Sequence, residues 1–346
     1  MSIDRILLQL LGSEAAAAVR AVAEAIDVAE SVQHERRIGV LSKSDASPAT
    51  VADFAIQALL ADRLASVFPD LPLVAEEDAS HLRGNTATEL QAQVVEVVRR
   101  WQPGIDAAAV LEAIDRGRGL PGQRYWTLDP IDGTKGFLRR RQYAVALALI
   151  QDGRVVIGIL GCPHVSLRTA SIDRPPGGRE EAGLAIAVRG RGAWWVLPRA
   201  KEITRLGVSG VADPSNARVL HSCEMAHSDV SRFERMLHAL GTRFEPVLLD
   251  SQVKHVVVAA HRADLLVRFP TTPHFRDAVW DHAAGTLLIS EAGGQVTDLA
   301  GQRLDFSTGR RLQRNTGLLA SNGWLHDAAL EAIAASRAAA PVGSAS

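Results

Sequence analysis

Residues 126–137 read Trp-Thr-Leu-Asp-Pro-Ile-Asp-Gly-Thr-Lys-Gly-Phe, and the interpretation of the whole chain starts from this stretch. Asp129 and Asp132 lie three residues apart, and Pro130 restricts the backbone so that a tight turn can direct both carboxylates and the Ile131 carbonyl to one point. Hard oxygen ligands suit Mg²⁺, which keeps coordination positions for water and phosphate. Taken alone, the pair equally fits a plain turn or a helix cap, because Asp-Pro and Asp-Gly are common turn signals.

Further ligands come from the next two residues and from distant parts of the chain. Gly133 and Thr134 follow the acidic pair, and a Gly turn that opens a short helix presents N–H groups and a hydroxyl to a phosphate. Glu76 follows the apolar run 73–75, which predicts a buried strand, and Asp281 stands where a helix is expected to begin. Taken alone, Glu76 also fits a solvated turn, and Asp281 also fits a helix N-cap.

The first half of the chain predicts helices packed on an antiparallel sheet. Apolar residues at helical spacing predict one long helix over 3–32, and Thr50 with Asp53 resembles a capping box that opens a second helix over 51–68. A peripheral helical insert is expected over 87–115. Two hairpins are expected after the acidic motif, with strands at 143–150, 155–160, 184–188 and 193–197.

The second half alternates strands with helices, which is typical of a doubly wound α/β domain. The expected strands are 217–221, 243–248, 265–269, one from 295 and one near 317–320, and the expected helices are 228–240, 251–260 and 281–291. We therefore predict an α+β domain over 1–208, a smaller α/β domain over 209–335 and a disordered tail over 336–346.

Composition indicates a soluble cytoplasmic protein without a nucleic-acid or membrane partner. The 346 residues are 47% hydrophobic and carry a formal net charge of −1, so no global field favours nucleic acid or anionic lipid. Two cysteines are too few for a disulfide framework or a thiolate zinc site. No P-loop, Gly-x-Ser-x-Gly or His-Glu-x-x-His motif occurs, which argues against ATPase, serine hydrolase and zinc protease chemistry.

Five segments in order resemble the inositol monophosphatase superfamily of lithium-sensitive, Mg²⁺-dependent phosphatases. They are residues 43–48, 74–78, 126–139, 249–254, and 280–285 with 291–294. Within the superfamily the chain is most similar to the 3′(2′),5′-bisphosphate nucleotidases, because 133–137 reads Gly-Thr-Lys-Gly-Phe where inositol phosphatases carry a Thr-Asn-Phe version, and because 249–254 resembles their adenosine-site segment. The resemblance implies a layered α-β-α-β-α sandwich, with a mostly antiparallel α+β part followed by a smaller α/β part.

The resemblance also assigns roles to individual residues. The implied ligands of two or three Mg²⁺ ions are Glu76, Asp129, the Ile131 carbonyl, Asp132 and Asp281. Asp45 and Thr134 would activate the attacking water. The implied substrate contacts are Gly133, Thr134, His227, Ser251, Lys254, Arg268 and Asp281. Without the resemblance, His227 fits a helix start, and Lys254 and Arg268 fit solvated surface charges.

The implied substrate is a small bisphosphate nucleotide of sulfur metabolism. Water would hydrolyse the 3′-phosphate of adenosine 3′,5′-bisphosphate to give AMP, without a covalent intermediate. The sulfated relative of this nucleotide is a second substrate that the resemblance implies. The helix expected at Asp281 would point its N-terminal amides at the phosphate, while Lys254 and Arg268 would pair with the second phosphate. Two alternatives remain open: an inositol or other sugar phosphatase, and a non-catalytic nucleotide or metal sensor.

Overall fold

A computed structural model describes most of the chain. The described residues are 3–35, 39–42, 48–84, 88–168, 182–222, 229–272 and 274–337. Asp45, His227 and residues 338–346 of the predicted tail lie outside these ranges.

Helices and strands have the following bounds. The helices are α1 (Ile3–Leu11), α2 (Ser13–Gln33), α3 (Val51–Val67), α4 (Thr88–Trp101), α5 (Ala107–Asp115), α6 (Thr134–Leu138), α7 (Val230–Leu240), α8 (Val253–Ala259), α9 (Ala283–Glu291) and α10 (His326–Ala335). The strands are β1 (Val40–Ser42), β2 (Pro48–Thr50), β3 (Leu73–Ala75), β4 (Arg124–Asp132), β5 (Ala144–Gln151), β6 (Arg154–Cys162), β7 (Gly183–Val188), β8 (Gly192–Leu197), β9 (Glu202–Arg205), β10 (Val219–Ser222), β11 (Val247–Leu249), β12 (Leu265–Arg268), β13 (Gln295–Thr297) and β14 (Leu318–Ser321).

The single N-terminal helix predicted over 3–32 is wrong, because Gly12 divides it into α1 and α2. Gly12 has φ 90° and ψ 168°, a conformation that a residue with a Cβ rarely adopts. The capping box that opens α3 is confirmed. The Thr50 hydroxyl oxygen accepts from the Ala52 N–H at 3.1 Å, and the Asp53 carboxylate accepts from the Thr50 N–H at 2.7 Å.

Strands β3 to β9 form one sheet in chain order, in which β3 pairs with β4 in parallel and every later pair is antiparallel. Both predicted hairpins are present, and β9 extends the sheet by a strand that the apolar pattern did not predict. Because β3 and β4 run in parallel, their carboxyl ends meet at the same edge. Glu76 and Asp129 are therefore brought to one edge of the sheet.

The second sheet has the order β11-β10-β12-β14-β13. Strand β10 is parallel to β11 and β12, whereas β14 is antiparallel to both of its neighbours, so the sheet is mixed. Helices lie on both faces, as a doubly wound arrangement requires. The strand expected over 243–248 is shorter and later, because it is confined to β11.

Three hydrophobic cores stack the elements into five layers. The first lies between α1 to α5 and one face of the seven-stranded sheet, and it includes Val94 and Ile114 of the region expected to be a peripheral insert. The second fills the space between the other face of that sheet, α8, α9 and the second sheet. The third joins the second sheet to α7 and α10. The predicted α-β-α-β-α sandwich is confirmed. The domain boundary at residue 208 stays a prediction, and the second core contains residues from both sides of that boundary.

The C-terminal helix α10 was not predicted. Its residues Ala329, Ala332 and Ile333 are buried in the third core. Ser336, expected to begin a disordered tail, is 1% exposed and accepts a hydrogen bond from Arg232 Nε at 3.3 Å. None of the helices in the described ranges is long and apolar enough to cross a membrane.

Candidate active site

A cavity of about 560 Å³ lies where the ends of β3, β4 and β12 meet the segments that precede α6, α8 and α9. The structure brings every described member of the predicted site to this cavity. They are Glu76, Asp129, Ile131, Asp132, Gly133, Thr134, Ser251, Lys254, Arg268 and Asp281. The structure does not describe the other two predicted members, Asp45 and His227.

The acidic motif ends a strand, so the predicted tight turn is wrong. Asp129 is paired with Ala146 and Asp132 with Ala144, which means that three steps along β4 match two steps along β5. This irregularity is a β-bulge. In a regular strand, residues three apart point to opposite faces, and the extra residue of a bulge redirects the side chains that follow. The bulge thus lets both carboxylates line one cavity.

Glu76 is held beside the acidic motif by backbone pairing and by the buried side-chain amide of Gln57. No sequence pattern indicated a role for Gln57. The Glu76 N–H donates to the Leu128 carbonyl at 3.1 Å, directly beyond the end of β3. Gln57 is fully buried and donates to the carbonyls of Glu77 at 2.5 Å and Ile114 at 2.8 Å, while its own Oε1 accepts from the Glu77 N–H at 3.0 Å. Gln57 therefore fixes the segment that carries Glu76.

Asp281 precedes α9 and does not cap it, so the helix start predicted at this residue is wrong. Helix α9 begins at Ala283, and its N-cap residue His282 makes no side-chain capping bond. The Asp281 carboxylate accepts from the Ala278 N–H at 3.1 Å. Asp281 is thus fixed by the turn that leads into the helix.

The carboxylates of the cavity repel one another strongly. Asp129 is 3% exposed, and its Oδ1 has no hydrogen-bond partner in the described part of the chain. Burial, together with the charges of Glu76, Asp132 and Asp281, raises the pKa of Asp129 well above its usual range. Burial also raises the pKa of Asp281 to about 6, although Arg268 opposes the shift.

This donor set fits a hard divalent cation. Five carboxylates line the cavity, those of Glu76, Asp129, Asp132, Asp250 and Asp281. A cation would offset both their repulsion and the unmatched Asp129 oxygen. Across the described ranges, no three His, Cys, Asp or Glu side chains form a cluster ready to hold a metal. The proposed ligands therefore line one cavity without forming such a cluster by themselves.

The short helix α6 carries the predicted phosphate-binding residues. Gly133 precedes it with φ 90°, and the Thr134 hydroxyl donates to the Ile131 carbonyl at 3.1 Å. A Cβ on Gly136 would stand 2.3 Å from the Gln142 carbonyl oxygen. Only glycine fits this close approach of two backbone segments.

Residues 250–254 connect the acidic motif to the second half of the chain. The Gln252 N–H donates to the Asp132 carboxylate, and the Gln252 side chain donates to the Trp280 carbonyl at 2.9 Å. Burial raises the pKa of Asp132, but Lys254 and this hydrogen bond oppose the shift. Lys254 Nζ donates to the Leu249 carbonyl at 3.2 Å and also lines the cavity.

Aromatic and basic side chains complete the lining of the cavity. Arg310 Cζ lies 4.8 Å from the Trp280 ring centroid, and the guanidinium donates to the Ala75 carbonyl at 2.5 Å and the Gly117 carbonyl at 3.1 Å. Sequence reasoning missed Arg310, which belongs to no recognised motif. It also missed Trp280 as a site residue, although Trp280 belongs to the segment 280–285, one of the five that carry the family resemblance.

Comparisons with known proteins concern the sequence and the fold as a whole. The sequence pattern of the inositol monophosphatase family matches residues 11–340. A 3′(2′),5′-bisphosphate nucleotidase of Oryza sativa is 38% identical over 335 residues, covering 93% of each protein. A 3′(2′),5′-bisphosphate nucleotidase of Schizosaccharomyces pombe is 35% identical over 316 residues, covering 88% of each. The solved structure of an IMPase from Thermotoga maritima has a TM-score of 0.63 with 21% identity, covering 92% of this chain and 96% of that one. This similarity bears on the fold alone.

Proposed function

The chain belongs to the inositol monophosphatase family, and from this premise we propose that it hydrolyses the 3′-phosphate of adenosine 3′,5′-bisphosphate to give AMP and phosphate. The observation that carries the proposal is one cavity lined both by the four carboxylates proposed as metal ligands and by Lys254 and Arg268. The first group suits a metal that activates water, and the second suits a further phosphate. Relatives named as bisphosphate nucleotidases, 35–38% identical over most of the chain, support the same substrate.

Metal dependence follows from the family, and we propose that the metal is Mg²⁺, with two or three ions bound. Glu76, Asp129, the Ile131 carbonyl, Asp132 and Asp281 would hold it. When bound, such an ion lowers the pKa of coordinated water and neutralises charge on phosphoryl oxygens. The bulge in β4 directs Asp129 and Asp132 into the cavity, and the hydrogen bonds of Gln57 fix the segment that carries Glu76.

Other residues of the chain orient the reactants. Thr134 lies at the start of α6 with its hydroxyl on the Ile131 carbonyl, so it stands next to a proposed metal ligand. We propose that Thr134 and Asp45 together orient and deprotonate the attacking water. Gly133, Ser251, Lys254, Arg268 and His227 would bind the nucleotide, and the sulfated relative of the substrate would fit the same contacts. The predicted cytoplasmic location, lithium sensitivity and place in sulfur metabolism remain parts of this proposal.

The deciding experiment compares phosphate release from adenosine 3′,5′-bisphosphate and from inositol 1-phosphate in Mg²⁺, with and without Li⁺. We expect faster turnover of the bisphosphate and inhibition by Li⁺. Faster turnover of inositol 1-phosphate would assign the chain to the sugar phosphatases of the same family. Tight binding of the bisphosphate without turnover would revive the sensor hypothesis.

A further inference from the structure

Asp277 lies behind the cavity and contacts two residues that line it. Its side chain is 4% exposed, and its Oδ1 lies 3.0 Å from Arg268 Nε and 3.4 Å from His282 Nε2. The Asp277 carbonyl accepts from the Leu312 N–H at 3.0 Å, so the backbone of this residue is also fixed. Asp277 belongs to none of the motifs assigned above.

The ion pair uses only one edge of the Arg268 guanidinium. Asp277 Oδ1 stands at Nε as an ion-pair partner outside hydrogen-bond geometry. Among the described residues no acceptor is hydrogen-bonded to the two terminal nitrogens of Arg268. Arg268 lines the cavity, and its Cζ lies 6.0 Å from the Phe275 ring centroid. A guanidinium held in this way keeps a pair of parallel N–H donors, which is the arrangement that binds a phosphate with two hydrogen bonds.

The carboxylate remains charged in its buried position. Burial would raise the pKa of Asp277, but Arg268 and His282 outweigh this effect and hold it well below its usual range. An ionised Asp277 lowers the net charge that a phosphate meets at Arg268, which by itself weakens binding. It also orders a long, flexible side chain before the substrate arrives, and the inference requires this second effect to be the larger one. An ordered donor pair saves the substrate the entropy cost of fixing Arg268, and ordering of this kind is a general source of affinity.

We propose that Asp277 is a positioning residue, which orients Arg268 toward the second phosphate and thereby sets the preference for a bisphosphate over a monophosphate. The inference rests on the proposed nucleotidase function. It assigns to Asp277 no contact with the substrate or with the reacting atoms.

The test measures kcat and KM with adenosine 3′,5′-bisphosphate and with adenosine 3′-monophosphate, which lacks the second phosphate. Asp277→Asn should raise KM for the bisphosphate by about tenfold, the upper size expected when the substrate itself must order one long side chain. The KM for the monophosphate and both kcat values should stay unchanged. Asp277→Glu keeps the charge, so it should restore part of the preference for the bisphosphate.

Two further variants separate positioning from general damage. Asp264→Asn removes another buried aspartate that pairs with an arginine, Arg218 at 2.8 Å, and it should lower stability without changing the ratio of the two KM values. In an Arg268→Ala background, Asp277→Asn should no longer change KM for the bisphosphate, because the residue acts through Arg268. If Asp277→Asn does not fold, Asp277→Glu provides the test, with a smaller rise of KM for the bisphosphate and none for the monophosphate.

Three results would overturn the inference. They are an equal rise of KM for both substrates, a lower KM for the bisphosphate in Asp277→Asn, and a further rise of that KM in the Arg268→Ala background. Failure of the wild-type protein to hydrolyse the bisphosphate would instead refute the proposed function, so the two failures are distinguishable.

Discussion

Gly136→Ala should damage the active site through a clash of about one ångström. The new Cβ would stand 2.3 Å from the Gln142 carbonyl oxygen, whereas ordinary contact begins at 3.4 Å, so α6 or the Gln142 backbone must retreat by about 1 Å. Replacing a helical glycine by alanine is alone worth about 1 kcal/mol in favour of the helix, but overpacking costs about 1–3 kcal/mol. We therefore expect a net loss of stability of about 1 kcal/mol.

The larger effect should fall on catalysis, because Thr134 lies on the same short helix. A displacement of about 1 Å in a positioning element can reduce turnover by about 100-fold, so we expect kcat/KM for phosphate release to fall by that order. Urea denaturation and steady-state kinetics measure the two effects. Gly122→Ala is the control, since its Cβ would meet nothing within 4 Å. Wild-type kinetics in Gly136→Ala would show that the close approach does not position α6.

Three further predictions follow from buried contacts and from the metal site. Asp264→Asn should lower the free energy of unfolding at pH 7 by about 2 kcal/mol, less than for a fully buried pair because the Arg218 side chain is 35% exposed. The Asp264 carboxylate accepts hydrogen bonds from Arg218 and Ser209, which outweigh burial and lower its pKa, so this stability is complete above the ordinary value of about 3.9 and disappears as the pH falls through the lower folded value. Urea denaturation from about pH 7 to about pH 2 measures it, and a difference independent of pH over this range would contradict the assignment. Gln57→Ala should lower the free energy of unfolding by about 2–3 kcal/mol, because it leaves buried backbone groups without partners. The same variant should need a higher Mg²⁺ concentration for half-maximal activity. Unchanged Mg²⁺ dependence would show that Gln57 does not position Glu76. Mg²⁺ at about 100 times its Kd should raise the free energy of unfolding by about 2.7 kcal/mol, and thermal unfolding that EDTA leaves unchanged would argue against a metal site.

The elements around the site were predictable where local signals were strong. The capping box at Thr50 fixed the start of α3, and the Asp152-Gly153 turn predicted the hairpin of β5 and β6, where both residues have positive φ. The missed elements lack such signals. Gly12 interrupts an apolar pattern that continues on both sides, and α10 is rich in alanine, which has high helix propensity but gives little contrast between faces.

The site itself was predictable by residue type and less so by geometry. The acidic motif predicted Asp129 and Asp132 as ligands, which remains a proposal. Whether a Pro between them makes a turn or a bulge depends on pairing with β5, which is set by tertiary contacts. Arg310 reaches the cavity from a loop, and Gln57 reaches the Glu76 segment from the middle of α3. A single polar residue in such places gives no pattern, so only the structure could assign a role to either.

Mg²⁺-dependent phosphate release from adenosine 3′,5′-bisphosphate by wild-type protein and by Asp129→Asn tests the central claim most directly. We expect the wild-type protein to turn over the bisphosphate and EDTA to abolish this activity. We expect no turnover by Asp129→Asn, whose circular dichroism spectrum should match that of the wild type. Asp152→Asn is the matched control, because Asp152 lies in the exposed turn between β5 and β6 and should keep full activity. Near-normal turnover by Asp129→Asn would contradict the assignment of this cavity as the metal site.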